Sequence, residues 1–115
     1  MKTAFDISIS ALRSALKKVD VTSSNVANIN TDGYKKYRST FVESRNGGVD
    51  IKIEKTTTPG PVRTTSEGEL REASNVEYPE EMVELILARH MISTNLAVIE
   101  TTDEMIKRAI EVLGK

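Results

Sequence analysis

Chemistry needs reactive side chains in workable company, and His90 is the only histidine in a chain of 115 residues with no cysteine. It follows Arg89, with Glu84 upstream, on a stretch of helical periodicity. A lone imidazole without a second His or a Cys is a poor start for a metal site or an acid–base pair, and a helix-surface role is its default. The many Ser and Thr lack a base partner to activate them, so nucleophilic catalysis has no support. The six glycines fall in isolated turns and one Gly47-Gly48 pair, not in a phosphate-cradling loop. The chain reads as no enzyme, with no metal and no cofactor.

Hydrogen-bonding chemistry is another matter. In "SSNVANINTDGYKK", Ser23 to Lys36, three asparagines (Asn25, Asn28, Asn30) crowd the end of a good helix. Asparagine competes with the backbone for hydrogen bonds and is a mediocre helix former. One reading is an ordinary helix end followed by a loop. The other is a joint, in which Asn25 and Asn28 share a helix face and bond backbone where the helix meets the rest of the subunit.

The elements around this stretch are easy to trace. A helix is expected from about Thr3 to Asn28, with Thr3 and Asp6 as a capping box and Gly33 just past its end. Phe5, Ile9, Leu12, Leu16, Val19, Ser23 and Val26 are spaced 4-3 along it, a heptad seam with one polar interruption. Ala4, Ala11 and Ala15 flank that seam and would let another helix come close. A longer helix opens at "SNVEYPEE", with Pro79 in its first turn and Glu77, Glu80, Glu81 and Glu84 at the positive end of its dipole. Its seam is Tyr78, Met82, Leu85, Arg89, Ile92, Leu96, Ile99, Asp103, Ile106, Ile110 and Leu113. A second stripe (Met91, Val98, Met105, Val112) runs beside it, and Lys107, Arg108 and Lys115 would complete the dipole match.

Between the helices, "VDIKIEK" alternates Val49, Ile51 and Ile53 with Asp50, Lys52 and Glu54, which is a strand with one wet face. "RSTFV" is its hairpin partner across Gly47-Gly48, and "VRTTSEGEL" reads as a further short strand and turn. The expected fold is mainly α: two long terminal heptad helices packing as a coiled coil or helical hairpin, around a small β-hairpin-like insert. Residues 1–33 form the N-terminal axial helix and joint, 34–75 the insert, and 76–115 the C-terminal axial helix.

Composition agrees with a thin core: 38% hydrophobic, 4% aromatic, no Trp. The opening residues lack the apolar core of a signal peptide, no apolar run approaches a membrane span, and a soluble chain is expected. Charge is lopsided: residues 1–38 carry seven basic and three acidic groups, and residues 67–115 carry five basic and eleven acidic. Nucleic-acid binders concentrate one sign of charge on a surface, so attraction between the two ends is the better account. Whether the seams close within one chain or between copies stays open, since either arrangement would use that attraction.

With these residues in view, the asparagine stretch resembles the N-terminal signature of the bacterial flagellar axial proteins, in particular the basal-body rod proteins. The signature positions are Ser23, Ser24, Asn25, Val26, Ala27, Asn28, Thr31, Gly33, Tyr34 and Lys35. The far end resembles the C-terminal block of the same family, at Asn75-Val76, Glu81-Met82-Val83, Asn95, Ile99, Thr101 and Asp103-Glu104-Met105. The short insert is similar to the proximal-rod class (FlgB and FlgC types), while "TTDEMIKRAIEVL" leans toward the distal class. The resemblance implies a structural rod subunit that assembles through its terminal helices with copies of itself and other axial proteins. It also implies location in the periplasm-spanning basal-body rod and passage through the flagellar type III export apparatus, without a cleaved signal peptide and with a poorly ordered N-terminal region. Neither nucleic acid nor membrane insertion is expected. The alternative is a cytoplasmic adaptor of the same descent that does not polymerise.

Overall fold

The computed structural model describes residues 3–114. Its elements run α1 (Ala4–Ala27), β1 (Tyr37–Glu43), β2 (Val49–Lys55), β3 (Val62–Thr64), β4 (Leu70–Glu72) and α2 (Tyr78–Leu113). The molecule is 81 Å long and only 24 × 14 Å across.

Local chemistry sets the helix starts. Thr3 Oγ1 accepts the Asp6 N–H at 3.2 Å and the Asp6 carboxylate accepts the Thr3 N–H at 3.4 Å, completing the expected capping box. A capped helix runs from Ala4. α2 opens on Tyr78-Pro79, where proline's missing N–H would have had no helical partner anyway.

The helix ends differ from expectation. Gly33 does not stop α1; Asn28 caps it at φ −106°, with its side-chain amide donating to the Ser24 carbonyl at 2.8 Å. Gly33 takes φ +74° in a later turn. α2 has no basic residue in its last turn, because Lys107 and Arg108 lie more than a turn before Leu113. Lys115 lies outside the described residues.

The two helices pack antiparallel, with the end of α1 against the start of α2, as Asn25 bonds Glu81 and Lys18 bonds Glu84. The buried line of α1 is not the apolar seam. It is Ser8, Ala11, Ala15, Lys18, Thr22 and Asn25, spaced 3-4-3-4-3, and it meets an α2 face whose fully buried members are Glu81 and Ala88. Ala15 and Ala88 are both wholly inaccessible, so small side chains bring the helices together. The expected α1 seam lies one flank over: Phe5 and Leu16 are exposed, and Ile9, Leu12, Val19 and Val26 are half-buried. On α2, Leu85, Ile92 and Ile99 are half-buried, whereas Tyr78, Met82, Leu96, Ile106, Ile110 and Leu113 are exposed. Two adjacent lines on one helix both satisfy 4-3 spacing. Apolarity alone does not decide which of them faces the partner.

An 18-residue window of α2 reaches a mean hydropathy of 1.4 with at most two charges, enough by length and composition to cross a membrane. That corrects the expectation of no such stretch. The apolar residues lie on several faces of the helix, so the average is high although Glu84, Arg89 and Asn95 break any continuous run. Glu84 is ion-paired to buried Lys18, an attachment that membrane insertion would have to break.

The insert is two small antiparallel sheets, β1–β2 and β3–β4. The first pairs Tyr37 with Lys55 through Glu43 with Val49, stacking Phe41 on Ile51 on one face and leaving Asp50, Lys52 and Glu54 on the other. It lies along α1, where Ser10 Oγ accepts the Val49 N–H at 2.9 Å and Ser14 Oγ donates to the Val49 carbonyl at 3.1 Å. By helical periodicity, the α1 residues that hold this hairpin and the Phe5–Val19 stripe fall on opposite flanks of the helix pair. Past Thr102, α2 outruns α1, and every residue from Asp103 to Gly114 is exposed.

Candidate functional site: a polar joint at one end of the helix pair

The asparagine stretch builds a joint, and Asn25 is its centre. Its side chain is 1% exposed and makes four hydrogen bonds. Nδ2 donates to the Tyr37 carbonyl at 2.8 Å and to Glu81 Oε2 at 3.2 Å. Oδ1 accepts from the Tyr37 N–H at 3.0 Å and from the Tyr34 hydroxyl at 3.2 Å. One amide thus ties α1 to the first residue of β1, to the turn before it and to α2. The bonds to Tyr37 N–H and C=O copy what a neighbouring strand would supply, so Asn25 caps a strand edge from a helix.

The turn after α1 spreads these ties further. Asp32 pairs with Arg63 and Arg71 on β3 and β4. Gly33 N–H donates to the Glu72 carbonyl at 2.8 Å, in a backbone conformation that costs a glycine little. Lys35 pairs with Glu72, whose carboxyl also accepts the Gly60 N–H at 2.9 Å. Both contacts, Lys35's first, hold the Glu72 carboxyl below its usual range. Gly60 is buried against the Ala73 carbonyl so closely that a Cβ there would sit 2.0 Å from its oxygen. Asn75 completes the clasp, accepting the Lys36 N–H at 2.7 Å and donating to the Thr58 carbonyl at 2.8 Å.

Beneath the turn lies a buried charge cluster. Lys18, 4% exposed, pairs with Glu84, donates to the Ser39 carbonyl at 2.9 Å and stands 5.1 Å from the Phe41 ring centre. Lys36 and Arg38 both pair with Glu80. Partial burial pushes the Glu80 carboxyl up, but these two cations outweigh it and hold it low. Glu81 is wholly inaccessible, and its Oε1 has no hydrogen-bond partner; Arg38 comes no nearer than 3.8 Å. Burial pushes its carboxyl up, against the pull of Asn25 and Arg38 and with the help of Glu80 and Glu84.

Of the signature residues, Asn25, Gly33, Tyr34 and Lys35 reach other elements. Asn28 and Thr31 bond to each other, and Asn28 also to the Ser24 carbonyl, so the expectation that Asn28 spans the joint is corrected: it finishes its own helix. Ser24 is exposed and Val26 half-buried on α1. Sequence reasoning missed Lys18, Arg38 and the inward role of Glu80, Glu81 and Glu84, although the opposite charges of the two ends pointed to such pairing. Among the described residues, no group of His, Cys, Asp and Glu is placed to hold a metal ion.

This joint and the two helices it connects are the segments that match known proteins. Residues 5–35 match the family model described as Flagella basal body rod protein, and residues 67–112 match Flagellar basal body rod FlgEFG protein C-terminal. Together they take in about two thirds of the chain, leaving the β1–β2 hairpin and β3 between them. The chain belongs to the flagellar basal-body rod protein family. A comparison with curated proteins finds no match. The rod family is structural and not catalytic, so this rod protein has a role in the axial rod or hook in company with other flagellar axial proteins. The joint ties the start of the insert to both helices.

Proposed function

We propose that the chain is a subunit of the basal-body rod that self-assembles, and joins other axial proteins, through the apolar stripes of its terminal helices. The observation that carries this is the choice of seam. The helices meet in cis through Ser8, Ala11, Ala15 and Lys18, leaving Phe5, Leu16, Met82, Leu96, Ile106 and Ile110 exposed. Surface area agrees. A folded monomer of 12.7 kDa exposes roughly 6,200 Å², and this one exposes 8209 Å². The excess is comparable to a stable protein–protein interface. The short insert favours the proximal (FlgB and FlgC) class, and export by the flagellar type III pathway without a cleaved signal follows from the same reading. The joint at Asn25–Tyr34 sets the geometry of the subunit rather than contacting neighbours.

The test is mass spectrometry of purified hook–basal bodies from cells making the wild type or Leu96→Asp. Wild type present at rod-like stoichiometry, with Leu96→Asp folded but missing, is the expected result. Wild type found only in the cytoplasm would instead support an adaptor that does not polymerise.

A further inference from the structure

Of the asparagines in the chain, Asn46 alone is followed by glycine; the others precede Val26, Ile29, Thr31, Val76 and Leu96, all with branched side chains. Asn46 is exposed at the tip of the β1–β2 hairpin, in the turn between Glu43 and Val49. We propose that Asn46–Gly47 is a self-modification site, where the Gly47 backbone nitrogen cyclises onto the Asn46 side chain and water opens the ring to aspartate or isoaspartate. The step balances with water as the only co-reactant. The Gly47 nitrogen gives up its proton and bonds Asn46 Cγ, the Cγ–Nδ2 bond breaks, and ammonia leaves behind a five-membered imide. Water then adds to one of the two imide carbonyls. Cleavage of the new bond to Cγ leaves an ordinary aspartate. Cleavage of the original peptide bond leaves the chain running through the side chain, as isoaspartate.

The turn leaves this bond open to the reaction. Beyond its chain neighbours, nothing comes within 4 Å of the place a Cβ would take on Gly47, so the attacking nitrogen is unhindered. Gly47 and Gly48 have φ +87° and +96°, and two such glycines in a row can rotate toward the ring geometry at little cost. The Gly47 N–H donates only to the Ser44 carbonyl at 3.1 Å, near the long end of the usual range. Elsewhere the amides are engaged: Asn25 on Tyr37, Asn28 on Ser24, Asn75 on Thr58 and Asn95 on Met91. Asn30 is exposed like Asn46, but the stiff, branched Thr31 follows it. The position has a structural consequence. Ser44 N–H donates to the Gly48 carbonyl at 3.0 Å to close the turn, and Val49 follows, held on α1 by Ser10 and Ser14. Isoaspartate adds a main-chain carbon inside that turn and loosens Val49 from α1. Aspartate adds a charge beside Arg45 and leaves the backbone length unchanged.

Timed peptide mapping by mass spectrometry, on the folded full-length chain in mildly alkaline buffer, tests this with Asn30 as the internal reference. Asn46 should exchange amide for acid about tenfold or more faster than Asn30, and Gly47→Ala should slow it by a similar factor. Alanine strains a positive-φ turn, so Asn46→Gln is the second variant. It keeps an amide but would need a six-membered ring, and it should stay unconverted. Wild type unfolded in urea gives the rate of the free chain, and the folded protein should convert within about tenfold of it. A folded chain slower than that would show that the hairpin protects Asn46, and equal rates at Asn46 and Asn30 would show that the glycine confers nothing; either overturns the site. In protein carrying isoaspartate, the Val49 N–H should exchange with solvent about tenfold or more faster than before. Unchanged exchange at Val49 would overturn the loosening from α1.

Discussion

The two ends of the helix pair are built on opposite principles. At the joint, Asn25, Lys18 and Glu81 are buried polar groups, and all but one of their side-chain polar atoms have partners. On the overhang, Met105, Ile106, Ile110, Val112 and Leu113 are apolar groups exposed by 53–84%. Buried polar networks tolerate few alternatives, because a misplaced partner leaves a desolvated group unpaired. Exposed apolar stripes are permissive and gain only when another surface covers them. The buried polar network thus sits at one end alone, while exposed apolar groups run from Met82 beside it to Leu113 at the other.

Substitutions can break or sharpen that contrast. Asn25→Ala should be the most damaging, costing about 3–5 kcal/mol in urea unfolding, because it leaves Tyr37 N–H and C=O and the buried Glu81 without partners. A loss under about 1 kcal/mol would mean that water replaces the amide and the joint is not a unit.

Next comes pH. The Glu81 carboxyl is raised in the folded state above its ordinary 4.5, so ionisation disfavours the fold, and stability should rise as pH falls from neutral toward that value. Glu72 and Glu80 are shifted the other way, and their contribution is present above 4.5 and lost below it. Wild type should therefore be most stable on the mildly acidic side. Glu81→Gln should melt about 5 °C higher than wild type at pH 8, with the gap closing as pH approaches 5. A Glu81→Gln protein less stable than wild type at pH 8, with the deficit vanishing as pH falls below 4.5, would show that the ion pair with Arg38 outweighs burial.

Asn28→Ala should cost only about 1 kcal/mol, the worth of a helix-end bond. Ile110→Asp should leave monomer unfolding unchanged within about 0.5 kcal/mol, while association is lost. Equal effects at Asn25 and Ile110 would erase the distinction between the two ends.

Much of this was readable from residue order, for physical reasons that also explain the gaps. Thr3–Asp6, Pro79 and the alternation at Val49, Ile51 and Ile53 are local signals, and local backbone geometry obeys them. Asn25 and Asn28 are the same residue type three positions apart, yet one binds across 12 and 56 residues of chain and the other only to Ser24 and Thr31 beside it. Nothing local separates them. The cis seam was hidden for a related reason: Ala11, Ala15 and Lys18 look like flanks of a better apolar line, and only a partner such as Ala88 makes them the interface. Oppositely charged termini announced that ion pairs would form, but not that Arg38 would serve three glutamates.

The clasp around the insert has a consequence for how such subunits can vary. Both ends of the segment are anchored, at Gly33–Tyr37 and at Glu72–Asn75, whereas its turns at Gly47-Gly48 and Gly68 are glycine bends with positive φ. Extra sequence at the Gly68 bend would lengthen a hairpin without disturbing the anchors or the helices, whereas the Gly47-Gly48 bend adjoins Val49, which Ser10 and Ser14 hold to α1. The insert can in this sense grow at Gly68 while its two ends stay clasped to the helix pair.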